Sequence, residues 1–513
     1  MRVRALATVL LAVALAAACG GGRDTPLDVI TLAVPSSPNN LDPRIGTDEV
    51  SQKIQQLVFS TLFALNERLE VVGLLAERWE SPTPTTYVVT LRQGIRFHDG
   101  HELTSEDVIF TFTSFLDPNF ISPRKGAYRM LDRVRAVDRY TVEFTLKEPF
   151  GSFPINLVIP IVPRGAGPGL RNAPVGTGPY RFVSFAVDDR VVLTPFEGYM
   201  DGAPRNGGVV IKIVPDDTMR GLELRKGTVD LVVNDLAPDI VHQLRTDATL
   251  QVVEAPGTDY AYVGVNLRDQ VLKDVRVRQA LAHAVDRDAI VKHLRRGLAR
   301  PAVGILPPMS WAFTPDVADY PFDPAKAGAL LDEAGYRDPD GSGPAPRLRL
   351  TLKVSSTEFN RLQSSVLQQD FARIGVSLDV RTYEFATLYA DVLKGNFQLF
   401  TLQWVGVSDP DMLRRVFHSK QMPPSGFNRG FFSDPAVDAL IDEATVSNDD
   451  TRRRALYADA QRLISREVPY LSLWYKTNVA VARRELTGLR LSPPADFLFL
   501  RGVTRVSPPP AAP

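Results

Sequence analysis

Six histidines, one cysteine and an ample set of carboxylates are the side chains that could hold a metal or move a proton. His98, His101, His242, His283, His293 and His418 are scattered, and no two are spaced four residues apart. The paired imidazoles of a helical zinc centre are therefore missing. The chain has no HExxH run, no GxSxG elbow and no Walker A loop. Asp338-Pro339-Asp340-Gly341-Ser342-Gly343 resembles the opening of a calcium loop, but Arg349 stands where a bidentate Glu is required. That leaves a tight acidic surface turn. No carboxylate spacing isolates an acid/base pair. The inventory points to binding rather than catalysis, with no metal and no cofactor.

The 513 residues carry 59 basic and 59 acidic side chains, so formal charge is zero and offers no electrostatic case for nucleic acid. Hydrophobic residues make up 44% and charged residues 23%, enough apolar material to exclude a disordered chain. The length predicts two or three domains. A single cysteine excludes an intrachain disulfide framework.

Arg2 and Arg4 precede an apolar run from Ala5 to Ala18, which is too short to span a bilayer. A basic start, a short apolar segment and small residues beyond it describe a secretory signal peptide over 1–18. Ala16-Ala17-Ala18 leads directly into Cys19, and this junction resembles a bacterial lipobox, with Ala16 in place of the usual larger residue. Cys19 is the expected lipidation site. Residues 19–29, with Gly20-Gly21-Gly22, form the expected tether. No later segment is long and apolar enough to cross a membrane, so the expected location is extracytoplasmic, with lipid as the anchor.

The mature chain reads as strands alternating with helices, an α/β pattern. Strands are expected at Ile30–Val34, Tyr87–Leu91, Ile95–His98, Tyr180–Phe185, Arg190–Pro195, Val209–Val214, Val229–Val233, Tyr260–Asn266 and Leu471–Val481. Helices are opened by caps: Thr104 with Asp107, Asp216 or Asp217, and Asp274. Asp323-Pro324 and Asp434-Pro435 place Pro at the favoured first helical position. Residues 507–513 are a Pro/Ala-rich loose tail.

Several runs are specific. Leu75-Ala76-Glu77-Arg78-Trp79-Glu80 leads to Leu91-Arg92-Gln93-Gly94-Ile95-Arg96-Phe97-His98-Asp99-Gly100 and Thr104-Ser105-Glu106-Asp107. Gly176-Thr177-Gly178-Pro179-Tyr180, Asp274-Val275-Arg276, Asp286-Arg287, Ser433-Asp434-Pro435 and Pro469-Tyr470 follow. Together they resemble the family-five extracellular solute-binding proteins, the oligopeptide-, dipeptide- and nickel-binding receptors of bacterial ABC importers. The resemblance runs from about Ile30 to Val481. It implies a bilobal periplasmic-binding-protein fold of type II with an extra inserted subdomain. Lobe I would comprise 30–52, 175–265 and 481–506, the inserted subdomain 53–174, and lobe II 266–480. Two crossings would join the lobes, near Val265–Leu267 and Thr477–Val481. The FHDG run itself reads as turn chemistry.

The resemblance also implies ligand residues: Asn40 in the Asn39-Asn40-Leu41 loop, Tyr260, and Trp404, whose indole offers a rigid apolar face and one donor. Asn428 and Arg429 are further candidates, with Arg429 able to clamp a ligand carboxylate. Peptide-binding relatives often carry an Asp three residues after the Trp equivalent to Trp404, where it meets the ligand's ammonium. Val407 stands there in this chain, and Asp409 is the nearest carboxylate along the loop. Either Asp409 is the anchor, or the ligand has no amino terminus there. The implied partners are a peptide or similar small solute, an ABC permease and its ATPase, and the membrane through lipid; the protein itself is expected to be monomeric. A sensory or chaperone-like binding lipoprotein and a secreted hydrolase are the competing readings.

Overall fold

The computed structural model describes residues 25–341 and 343–506. The expected signal peptide, Cys19 and the C-terminal tail lie outside the described residues. The fold is mixed α/β, built on one eleven-stranded sheet. From one edge the main path runs 376–383, 348–355, 399–404, 250–265, 470–483, 231–233, 29–34, 208–213, 190–195 and 180–186, and Ala299–Pro301 pairs with 470–483.

Two strands unite this sheet. Leu250–Val265 and Tyr470–Arg483 are antiparallel neighbours, long enough to take part in two separate cores. Their outer ends, Leu250 and Val479 to Ala482, pack with the first-lobe clusters around Ile30, Leu32, Val209 and Leu231. Their inner ends, Tyr260 to Val265 and Tyr470 to Tyr475, pack in the second lobe. Between these ends the register jumps, from Pro256 opposite Thr477 to Tyr260 opposite Tyr475. The extra residues form a bulge. The passage between cores thus falls at 256–260, earlier than the expected Val265–Leu267. Val265 is instead paired with Leu399, deep inside the second lobe.

A third core lies under a separate four-stranded sheet of Ala76–Thr83, Thr86–Leu91, Thr141–Leu146 and Leu131–Asp138. It spans Leu62 to Ile161. The helix Glu49–Val58 packs entirely with the first lobe through Val50, Ile54, Leu57 and Val58, so the first-lobe core reaches past residue 53.

Local signals behave as their chemistry demands. Asp216 caps Asp217–Lys226, which stops at left-handed Gly227. Asp274, Asp323 and Asp434 each accept backbone N–H bonds at a helix start. Thr104 and Asp107 form a capping box. The strand expected at Ile95–His98 is absent, leaving one bridge between Arg96 and Glu102. The reason is that the backbone groups there bond elsewhere: the Phe97 N–H to the His101 carbonyl, and the His98 N–H to the Gly176 carbonyl.

Candidate functional site

In the second lobe the Leu399–Trp404 strand sets Trp404 directly opposite Tyr260. Alternation along Leu250–Val265 puts Tyr260 and Tyr262 on one face. Their rings stack at 5.7 Å, and Tyr262 also stacks on Trp404 at 6.3 Å and on Tyr470 at 4.0 Å. The 256–260 bulge holds the loop after Trp404: Asp259 accepts from the Gly406 N–H and Gln403 Nε2, and the Thr258 carbonyl accepts from the Val407 N–H. Backbone passing between the lobes therefore fixes where the indole sits.

Arg429 enters this aromatic group from the 418–432 loop. Its guanidinium lies 4.6 Å from the Trp404 ring, 5.0 Å from Tyr389 and 5.5 Å from Phe427. It donates to the Tyr389 hydroxyl at 3.0 Å and the Tyr262 hydroxyl at 3.4 Å. Asn428 builds that loop instead of facing a ligand. Its amide nitrogen donates to the His418 and Phe432 carbonyls, and its amide oxygen accepts the Phe432 N–H. With both ends of a buried amide in use, Asn428 holds Arg429 in place.

Asp409 sits apart from that group, where the second lobe meets the inserted subdomain. It accepts the Asp411 N–H at 2.8 Å, and Asp411 is paired with Arg414 at 2.6 Å. Burial, and then the Asp411 carboxylate, push the Asp409 carboxyl up to about 6 against the pull of Arg453. Arg453 reaches across to Ser152 of the subdomain at 2.8 Å, pairs with Asp450 at 3.0 Å and lies 5.1 Å from the Trp311 ring. The seam continues through the Gly151 N–H to the Thr445 carbonyl and through Tyr87 and Ser81 to Asn448. Val407 is 1% exposed and packs with Leu413 and Phe432, so its side chain fills core. Asn40 is a turn residue: its side-chain oxygen accepts the Asp42 N–H, and its carbonyl accepts Gln55 Nε2.

The FHDG and GTGPY runs hold one another. The His98 ring bonds the Gly178 carbonyl at 3.0 Å and faces the Gly176 N–H. Burial pushes the His98 imidazole down to about 4, so it is neutral at physiological pH. A Cβ on Gly176 or Gly178 would come within 2.2 to 2.5 Å of Val58 backbone. These motif residues join the inserted subdomain to the first lobe. In the acidic turn, Asp338 accepts the Asp340 and Gly341 N–H groups and Asp340 accepts that of Ala345.

A cavity of about 50 Å³ lies behind the tyrosine stack, bordered by Tyr260, Tyr470, Ser472, Arg287 and Gln461. It has room for a few waters, far below the roughly 300–1,000 Å³ of a ligand pocket. An open groove of about 680 Å³ follows the inserted subdomain along Glu102, Glu106, Asp107, Arg139 and Arg164. Its charges already pair with one another, Arg139 with Glu102 and Arg164 with Glu106.

Residues 70–423 match the family described as bacterial extracellular solute-binding proteins, family 5. The chain belongs to that family. The glutathione-binding protein GsiB of Salmonella typhimurium is 30% identical over 92% of this chain and 93% of its own. Heme-binding protein A of Haemophilus influenzae is 29% identical over 96% and 97%. The ABC transporter substrate-binding protein CtaP of Listeria monocytogenes has a known structure that superposes with a TM-score of 0.83 at 26% identity, covering 93% of this chain and 99% of that one.

As a family-5 solute-binding protein, the chain is a binding protein and not an enzyme, and its relatives work outside the cytoplasm. Of the side chains expected at its ligand site, the structure brings together Tyr260, Trp404 and Arg429. It separates Asn40 and Asp409 from them and gives Asn428 a supporting task. Sequence reasoning missed Tyr262, Tyr389, Phe427 and Tyr470. The Tyr260-Ala261-Tyr262 alternation could have placed Tyr262 beside Tyr260. Nothing local links Tyr389 or Phe427 to Trp404.

Proposed function

We propose that this solute-binding protein is the lipid-anchored receptor of an ABC importer, taking peptides or similar small solutes between its lobes and delivering them to a membrane permease. The observation that carries the reading is the pair of long strands shared by both lobes, with a register jump where they pass between cores and the Trp404 loop bonded to that same bulge. A bend at 256–260 and 475–478 would move the second lobe while leaving both cores packed. The division into first lobe, inserted subdomain and second lobe follows the same cores. Relatives named for glutathione and heme support a small solute as cargo. Asp409 lies in the seam with the inserted subdomain, beside Arg453, which favours the alternative of a ligand with no amino terminus at the Trp404 loop.

Isothermal titration with glutathione and a set of di- and tripeptides, followed by small-angle scattering of each binder, tests the receptor reading. Binding with a smaller radius of gyration is expected. Binding without compaction would count against lobe closure, and enzymatic turnover of a bound peptide would overturn the reading. The anchor has its own test. Cys19→Ala should shift the protein from the membrane fraction to the soluble fraction, because two acyl chains anchor where one is marginal. A fully processed Cys19→Ala protein that stays in the membrane would sink it.

A further inference from the structure

One turn of the second lobe is seated in the core of the first. Leu298 is 3% exposed and packs in the apolar cluster of Leu224, Val229, Leu236 and Val241, all of the first lobe. The chain on either side, at Ile290 and Ala299, packs in the second lobe. Arg295 likewise lies 5.2 Å from the Phe359 ring and 5.9 Å from the Trp474 ring. Leu298 thus projects across the boundary. Its carbonyl accepts the Thr477 N–H at 3.2 Å, on the shared strand where that strand passes between cores. The turn that presents it is strained. Arg296 has φ +52° and Gly297 φ +80°, and a residue with a side chain is costly to hold in that left-handed region. The strained residue makes an ion pair across the same boundary: Arg296 Nε donates to Asp239 at 2.6 Å, on the first-lobe helix Pro238–Leu244.

We propose that the 295–298 turn is an interlobe latch, in which Leu298 is the seat and the Arg296–Asp239 pair opens and closes with lobe rotation, biasing the balance between lobe arrangements. The proposal rests on the reading that the lobes turn about 256–260 and 475–478. Leu298 lies beside that pivot through Thr477, so rotation displaces it little. Arg296 reaches a helix outside the pivot and parts from Asp239 when the lobes turn. The two side chains are 42% and 63% exposed, so the pair contributes little to the stability of the fold as a whole. A balance between two arrangements of the same folded lobes is a smaller quantity, and there the pair counts. An exposed ion pair changes an equilibrium ratio by about 1.5- to 5-fold. The pair favours the arrangement described above, in which the second lobe also meets the inserted subdomain through Arg453 and Ser152.

The test uses the full chain with Cys19, its single cysteine, replaced by Ala, and spin labels at Val187→Cys of the first lobe and Leu362→Cys of the second, both exposed positions. Pulsed dipolar spectroscopy reads the interlobe distance distribution. Arg296→Asp and Asp239→Arg each place like charges face to face. Each should lower the population at the distance of the described arrangement, relative to other distances, by at least about 2-fold. The double variant Arg296→Asp with Asp239→Arg should return the ratio toward wild type, which a turn serving only as structure would not do. Leu298→Ala should broaden the distribution, and Leu298→Met should keep its width. Circular dichroism and thermal melting establish that each variant is folded. Unchanged populations in both single charge variants, or a double variant no nearer wild type than they are, overturns the latch. A distribution of wild-type width in folded Leu298→Ala overturns the seat. The receptor reading fails differently. If glutathione or the peptides shift the distance and the charge variants do not, the receptor stands and the latch falls. If the charge variants shift it and no peptide does, the latch stands and the closing receptor falls.

Discussion

Two arginines of the second lobe are buried against tryptophan faces, and they differ in what balances them. Arg453, over Trp311, has Asp450 at 3.0 Å, Asp409 among its electrostatic neighbours and Ser152 of the inserted subdomain at 2.8 Å. Arg429, over Trp404, has phenol hydroxyls and, among the described residues, no paired acid. The ring geometry is similar and the consequence is opposite. A guanidinium supplied with protein carboxylates ties one part of the fold to another. One left without them ties no second part of the fold through an ion pair. Position follows the same logic, since Arg453 stands at the subdomain seam and Arg429 beside the strands that pass between lobes.

The contrast breaks first at Arg453. Arg453→Met removes the Ser152 and Asp450 bonds and takes one cation from beside Asp409, leaving Arg414 paired with Asp411. A loss of about 3–5 kcal/mol is expected from urea denaturation. Should Arg453→Met prove as stable as wild type, the seam is not held by this pair.

Gly151 sharpens the same seam. A Cβ there would come within 2.0 Å of the Ser447 carbonyl oxygen. Gly151→Ala should cost about 1–3 kcal/mol by overpacking and enlarge the radius of gyration as the subdomain parts from the second lobe. An unchanged scattering profile would mean that Gly151 is not needed to hold the subdomain against the second lobe.

Acid separates the two sites further. The Asp409 carboxyl titrates near 6 in the folded protein, above its ordinary value, so protonation favours the fold. Its stabilising protonation is complete below about 4 and is lost as pH rises through 6. For this half-buried group, lowering pH from 7 to 5 should add about 1 kcal/mol, and Asp409→Asn should remove that increment. A pH profile identical in wild type and Asp409→Asn would place Asp409 outside the seam's electrostatics.

The smallest effect belongs to Arg429. Arg429→Met replaces an unpaired buried cation with an apolar chain of similar length, so stability should stay within about 1 kcal/mol of wild type or rise. A loss as large as that at Arg453 would show that Arg429 is a structural member of the core, and the comparison between the two arginines would collapse.

Much of the fold is legible because its signals are local. Asp434-Pro435 states where a helix begins whatever surrounds it, and Gly227 ends one because only a residue tolerant of positive φ fits. The strands Leu348–Ser355, Val376–Tyr383 and Leu399–Trp404 are absent from the expectations above, although Leu348, Leu350, Leu352 and Val354 alternate as a half-buried strand should. Tyr260–Asn266 was only the inner end of a strand that begins at Leu250, because the Pro256-Gly257 interruption that reads as a break is a bulge within it.

The candidate site was less legible for a different reason. Trp404, Tyr260 and Arg429 carry recognisable chemistry, but a residue's task depends on which groups across the fold satisfy it. Asn428 and Arg429 are adjacent in the chain, and one is spent on backbone while the other is unbalanced. By itself the sequence determined helix starts such as Asp274 and Asp434-Pro435, and the family, since these rest on neighbouring residues or on long runs of them. Only the tertiary structure decided that Val407 fills core, that Asp409 faces a subdomain seam, and that Arg429 pairs with no acid among the described residues. Burial and charge pairing are set by side chains hundreds of residues apart, such as Ser152 against Arg453 and Tyr262 against Arg429.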